Sequence, residues 1–329
     1  MAFLATDHIN VVGVAAAVPS SKVSNQSLDQ ISPNERDLLI NTIGINERRV
    51  ARTLSSEELC IEPARQLLKS LGWNPSEIQL LVFVSQTPSQ PIPGSSTILQ
   101  KGLEIPSSCM CIDINQGCAG YVYGLSVIAS LMEVGKIEKA LLLVGDTITK
   151  NLAADDMSTV PIFSDAGSAT ALSYSTKVNT MYFHMQADGN GAEVIHQRPN
   201  ERMQMNGHEV FHFGLKEVVP NVEQLINFAN TEKDKVDYFV FHQANKLLNE
   251  GIRRKLKVAP EKVPHSLAEL GNTSCATIPV TMVAQLGTQL GERNLHLLLS
   301  GFGVGLSWGS VLLNTDAITC LQLIELDDE

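Results

Sequence analysis

Cys118, His242 and Asn272 are the side chains whose types and settings could carry covalent chemistry in this chain. Cys118 lies in DINQGCAGYVYGL, where a short buried strand ending at Ile112 and Ile114 turns through Asn115, Gln116 and Gly117. The spacing predicts that Cys118 opens a long apolar helix running through Met132. A cysteine at a helix start meets unpaired backbone N–H groups and the positive end of the dipole, and both favour the nucleophilic thiolate. Gly117, Ala119 and Gly120 leave the sulfur uncrowded, as a strand–elbow–helix nucleophile mount requires. The structural alternative is a small buried hydrophobe. His242 ends an apolar strand in FHQAN, where a strand C-terminus opens into a crevice, and Asn272 precedes another helix in LGNTSCATIP. Each could instead be a structural hydrogen-bonding group, Asn272 as a cap or turn residue. In Ser300–Gly305, SGFGVG, no helix follows and the dinucleotide spacing is wrong, which leaves an oxyanion-binding turn or a plain hairpin.

Cysteine, histidine and asparagine at converging loop ends suit thioester chemistry. The cysteine would take up an acyl group. The other two would donate hydrogen bonds to a second thioester's carbonyl oxygen as a malonyl group loses CO2, and the carbanion would then attack the acyl-cysteine. A neutral histidine donor serves that role best. The glycine turn and the Cys118 N–H would hold the tetrahedral oxyanion.

Convergence of these loops is what the remaining elements must arrange. Strands are expected at Ile9–Val14, Leu80–Val84, Ala140–Gly145, Ser168–Ser173, Tyr238–Phe241, Leu295–Ser300 and Leu306–Leu313. Helices are expected over 28–43 with a break at Pro33, over 57–71 capped at Ser55 or Ser56, and over 97–103, 216–229, 244–257 and 278–290. Residues 188–207 are polar and glycine-containing, a loop excursion or lid. The halves repeat: Phe83 aligns with Phe239 (239 − 83 = 156) and Leu141 with Leu297 (297 − 141 = 156), which sets Cys118 against Ser274. Such self-similarity implies a duplicated α/β unit, residues 1–175 carrying the nucleophile and 176–329 carrying His242 and Asn272. Strands apolar throughout imply sheets covered on both faces, with helices between and outside them.

Composition bounds the partners. A chain of 329 residues exceeds one ordinary hydrophobic core. No apolar run spans a bilayer, and Asp7 and the lack of a basic segment argue against a signal peptide. Six cysteines in this length make no disulfide framework, and no metal is expected. Reduced thiols fit the cytoplasm. A net charge of −11 with few aromatics argues against nucleic acid.

DINQGCAGYVYGL, VFHQAN, GNTSCATIP and GFGVGLSWGSVLL resemble, in order, the four active-site segments of beta-ketoacyl-acyl-carrier-protein synthase III in the thiolase superfamily. The resemblance covers essentially the whole chain. It implies a five-layered αβαβα sandwich, a homodimer, no tightly bound cofactor and phosphopantetheine thioester substrates, on acyl carrier protein or coenzyme A. By the motifs, Cys118 is the acylated nucleophile and His242 with Asn272 the decarboxylation pair. Val304 stands where the family often has a glycine whose N–H binds the oxyanion. Phe163 would line the tunnel, and Ile92 would cross the dimer into the partner's acyl pocket. Relatives that use acetyl-coenzyme A grip adenine between a tryptophan and an arginine; Leu38 and Met157 occupy those places, which points toward a carrier-protein donor. INQGC reads like members from specialised pathways. Lys246, Arg253, Arg254, Lys255 and Lys257 form a basic cluster that could dock an acidic carrier protein, or be a solvated helix face. Two alternatives stay open here: an acyltransferase on the same scaffold that does not decarboxylate, and a non-catalytic partner subunit.

Overall fold

The structure, a computed structural model, describes residues 2–328. Two sheets form its frame. The first has the strand order Thr319–Cys320, Ile9–Pro19, Ala166–Tyr174, Lys139–Asp146, Leu80–Val84, Met110–Ile114, with Ile324–Leu326 also paired to Ile9–Pro19. The second runs Ala2–Thr6, Met181–Ala187, Ser307–Thr315, Leu295–Gly303, Tyr238–Phe241. Each sheet therefore takes an edge from the opposite end of the chain.

Side-chain alternation divides the strands between layers. Leu80, Val82 and Val84 point to the middle of the molecule, whereas Leu81 and Phe83 point outward. Leu297 and Leu299 face the same middle layer and Leu298 the opposite side. The two mixed sheets thus share one core, filled by the helices Gly120–Gly135 and Thr277–Glu292. The helix Ser56–Leu71 covers the outer face of the first sheet and Val219–Phe228 that of the second. Helix, sheet, helix, sheet, helix: this is the five-layered αβαβα sandwich of the thiolase fold.

Local signals set most boundaries. Ser55 caps Ser56–Leu71 in a reciprocal box with Glu58, and left-handed Gly72 closes it. Ser32 and Glu35 form a second box, so the first helix begins at Pro33 and excludes Leu28. Four strands of the two sheets escaped the sequence reading, Ala2–Thr6 among them. Met181–Ala187 contains His184 and Gln186, which meet buried polar partners: Asn221 bonds both side chains and Trp308 donates to Gln186. Thr319–Cys320 and Ile324–Leu326 are too short to show a period.

The uniform offset of 156 does not hold. Phe83 pairs with Leu143 and Phe239 with Leu298, and 298 − 143 = 155. The two central helices have Ala119 and Ala276 as N-caps, with nearly identical backbone angles, and 276 − 119 = 157. On that register Cys118 corresponds to Cys275, not to Ser274.

Close approach of the Ser56–Leu71 helix to the first sheet depends on Gly167. A Cβ there would collide with the Leu59 backbone and lie 2.7 Å from Leu59 Cβ. Gly167→Ala is expected to cost about 1–3 kcal/mol of unfolding free energy, measured by urea denaturation. An unchanged midpoint would contradict this packing.

Candidate active site

Cys118 sits in the elbow itself, two residues before Gly120 starts the helix, so it does not open the helix as the spacing suggested. The elbow is pressed under the hairpin Leu295–Gly303/Ser307–Thr315. A Cβ at Gly303 would fall 2.7 Å from Cys118 Cβ and 2.9 Å from its sulfur, and one at Gly301 would fall 2.8 Å from Ala119 Cα. The glycine-rich stretch is thus a hairpin, and its glycines let it close over the sulfur. The N–H groups of Val304 and of Cys118 itself and the Ser274 hydroxyl lie beside that sulfur and favour its charged form.

Burial outweighs those donors and the helix dipole. The Cys118 thiol is pushed up to about 12, first by desolvation and then by the negative charge of Asp146. Burial thus works against the resting thiolate that a helix start favours. Dryness acts on His242 in the opposite electrical sense. The ring is 2% exposed, and desolvation takes its pKa down to about 3 against the opposing pull of the Ser274 carbonyl. His242 is the neutral imidazole that a hydrogen-bond donor requires.

His242 follows the strand Tyr238–Phe241, its N–H bonded to the Ser300 carbonyl at 2.7 Å. Nδ1 lies 2.7 Å from the Thr277 hydroxyl, and Phe302 meets the ring edge-on at 5.4 Å. Asn272 is fixed by an isolated parallel bridge to Phe163: its N–H donates to Ile162 and its carbonyl accepts from the Ser164 N–H. Its Oδ1 accepts from the Ser274 N–H at 3.0 Å, which leaves the Nδ2 end free to donate.

Ser274 therefore touches all three: hydroxyl to Cys118, carbonyl beside His242, N–H to Asn272. The sequence reading missed this role and those of Thr277 and Phe302. Ser274 stood two residues past Asn272 in a loop ahead of a helix, but nothing in its type announced a left-handed φ of 51°.

Of the remaining residues singled out above, Phe163 is buried and packs with Ile148, Ile195 and Met203 in the outer core of the second sheet. Val304 is at the hairpin turn. Ile92 is 84% exposed on the 85–94 loop, outside the chamber. Leu38 is also exposed, and Met157 is half-buried. Arg253 is not a free charge: Glu250 holds it at 2.8 Å and the Val258 carbonyl accepts from it at 2.8 Å. Lys255 donates to the Leu215 carbonyl, while Lys246, Arg254 and Lys257 are exposed. Among the described residues no three His, Cys, Asp or Glu side chains gather as a metal site.

The chain matches two family descriptions, 3-oxoacyl-[acyl-carrier-protein] synthase III over residues 112–189 and the C-terminal part of the same family over 226–315. It is 31% identical over 305 residues to beta-ketoacyl-[acyl-carrier-protein] synthase III 1 of Halalkalibacterium halodurans, which covers 92% of this chain and 97% of that protein. The like-named protein of Bacillus cereus is 28% identical over 308 residues, covering 93% and 98%. A crystal structure of a 3-oxoacyl-(acyl-carrier protein) synthase from Burkholderia xenovorans superposes with a TM-score of 0.96 at 35% identity, covering 99% of each chain.

A raised thiol pKa has a kinetic signature. Alkylation of Cys118 by iodoacetamide, followed by peptide mass mapping, should accelerate about tenfold per pH unit through pH 9 without levelling, because thiolate is the reactive form. Ser274→Ala should slow it roughly tenfold at fixed pH, the order expected for one hydrogen bond to a charged group. A plateau near pH 7 would contradict the dry-chamber account.

Proposed function

Because the chain belongs to the 3-oxoacyl-[acyl-carrier-protein] synthase III family of acyl-transferring condensing enzymes, we propose that Cys118 accepts the acyl group and that His242 with Asn272 drives decarboxylation. The family reaction joins an acyl thioester to malonyl-acyl-carrier protein with loss of CO2, giving a beta-ketoacyl-acyl-carrier protein. The observation that supports this division of labour is the meeting of all three side chains on Ser274.

In the first half-reaction the Cys118 sulfur attacks the donor carbonyl. A new C–S bond forms, the donor thiol leaves, and the Cys118 proton goes to it. The oxyanion lies against the N–H groups of Cys118 and Val304, which already point at the sulfur. In the second, the C–C bond to the malonyl carboxylate breaks and its electron pair forms an enolate. Asn272 donates through Nδ2, and His242 through Nε2 once the Thr277 hydroxyl donates to Nδ1. The carbanion attacks acyl-Cys118, the product leaves, and the released sulfur regains a proton from solvent.

Substrates are phosphopantetheine thioesters. Exposed Leu38 and Met157 offer adenine neither an aromatic face nor a guanidinium, which favours a carrier-protein donor over coenzyme A. Carrier docking falls to Lys246, Arg254 and Lys257, with Arg253 and Lys255 bound within the protein. A homodimer is supported by the open edge strand Met110–Ile114, whose Met110 is 48% exposed, and by exposed Ile92, which would enter the partner's acyl pocket. Phe163, buried with Ile148, Ile195 and Met203, would serve as the tunnel residue. Residues 1–175 and 176–329 are the two half-units, and six free thiols fit the cytoplasm. No helix among the described residues is long and apolar enough to cross a membrane.

His242→Ala and Asn272→Ala should keep the acyl adduct on Cys118, seen by intact-protein mass, while release of radiolabelled CO2 from malonyl-carrier protein falls at least about 100-fold. Loss of the adduct with unchanged CO2 release would reverse the assignment. Exchanging Arg254 and Lys257 for Glu should raise KM for the carrier substrate about fivefold or more and leave kcat near wild type. An unchanged KM would remove that docking face.

A further inference from the structure

Directly beside the nucleophile elbow is a cavity of about 180 Å³. A Cβ at Gly117 would run into Gln86 Oε1 and lie 3.2 Å from Val304 Cγ2, so two residues that line the cavity rest on the residue next to Cys118. Val304 also directs its N–H at the sulfur. Cys118 does not itself line the cavity; Gln86 and Val304 connect the space to the elbow.

The lining is unlike that of a hydrocarbon channel. Five of its nine residues are polar: Gln86, Asn115, Asn151, His196 and Gln197. They are also held in place. Buried Asp146 accepts from the Gln86 N–H at 2.7 Å and from the Thr87 N–H at 3.1 Å, which fixes the Gln86 backbone. The Gln86 amide then donates to Asn115 Oδ1 at 3.3 Å, leaving Gln86 Oε1 and the Asn115 amide nitrogen without partners among the described residues. The Asn151 side chain has no hydrogen bond there either, while its carbonyl accepts from the Met203 N–H at 2.9 Å and ties the 188–207 segment to this wall. An alkyl chain entering would strip water from these amides and return nothing. A hydroxyl or second carbonyl would satisfy them. Size sets the other limit: the cavity holds on the order of six water-sized groups at ~30 Å³ each.

Resting on the reading of Cys118 as acyl acceptor, we infer that the donor is a short acyl group carrying a hydroxyl or oxo substituent, with Gln86, Asn115 and Asn151 selecting it over a plain alkyl chain. Specificity of this kind lies in transfer from the donor thioester to the Cys118 sulfur.

Butyryl, 3-hydroxybutyryl and octanoyl thioesters, each on acyl carrier protein and on coenzyme A, separate the possibilities when the rate of mass gain on Cys118 is measured. The 3-hydroxybutyryl adduct should form at least about tenfold faster than butyryl, with octanoyl slowest, since a site built to bond a substrate hydroxyl discriminates against analogues lacking it. Asn151→Leu and Gln86→Leu, on separate elements, should each bring the 3-hydroxybutyryl and butyryl rates within about threefold while butyryl transfer persists. Equal rates in the unaltered protein, or octanoyl fastest, would overturn the inference and leave the nucleophile assignment intact. No adduct from any donor, with Cys118 still alkylated by iodoacetamide, would sink the acyl-acceptor reading and this inference with it.

Discussion

The backbone at Ser274 is the constraint on which the site depends. A φ of 51° places a non-glycine residue in the left-handed region, at a cost of roughly 1–2 kcal/mol. That conformation lets one residue send its hydroxyl to Cys118, its carbonyl toward His242 and its N–H to Asn272. Neighbouring structure holds it there. Asn272 is pinned by the bridge to Phe163, the Thr277 N–H bonds the Ser274 carbonyl, and the helix Thr277–Glu292 begins at once. Gly271 must be glycine for the same reason, since any side chain would meet Ser164. Strain at one residue thus sets the mutual positions of three others drawn from opposite halves of the chain.

Burial then gives the three groups their electrical states. The dry chamber raises the Cys118 thiol and depresses the His242 ring by one mechanism, removal of water from the charged form. For the proposed decarboxylation this would be favourable, because a neutral imidazole and a carboxamide aimed at a developing enolate would act strongly in a buried site. For acylation it has a cost, since sulfur must shed its proton in a place hostile to charge and near Asp146. The N–H pair at Cys118 and Val304 addresses the same instant, as negative charge moves from sulfur to the donor oxygen.

Much of this was legible in the residues. Serine–glutamate boxes marked helix starts, Leu80–Val84 and Tyr238–Phe241 were found to the residue, and the Cys and His loops were singled out at strand ends, the Asn loop by its place before a helix. The illegible parts share a cause: they depend on what lies far away in sequence. Met181–Ala187 reads as polar until Asn221 and Trp308 satisfy it. Arg253 counts as a free cation until Glu250, one turn earlier on the same helix, claims it. That a helix starts beside Cys118 is a local signal, but desolvation belongs to the whole fold. It is the larger effect.

The chain ends explain how a site shared between two halves stays rigid. Ala2–Thr6 completes the second sheet through Met181–Ala187, while Ile324–Leu326 lies along Ile9–Pro19 in the first. Near the C-terminus, Asp328 accepts the N–H groups of Thr53 and Leu54 at 2.8 and 2.9 Å, and Glu325 meets buried Arg49 at 2.7 Å. Arg49 in turn donates its backbone N–H to Ser164 Oγ, the atom packed against Gly271 beside Asn272. Separating the halves would therefore open both sheet edges and loosen the segment that positions the carboxamide. Precise placement of groups within a fraction of an ångström is what enolate stabilisation requires. Here that precision comes from a chain whose two ends are each built into the other half's sheet.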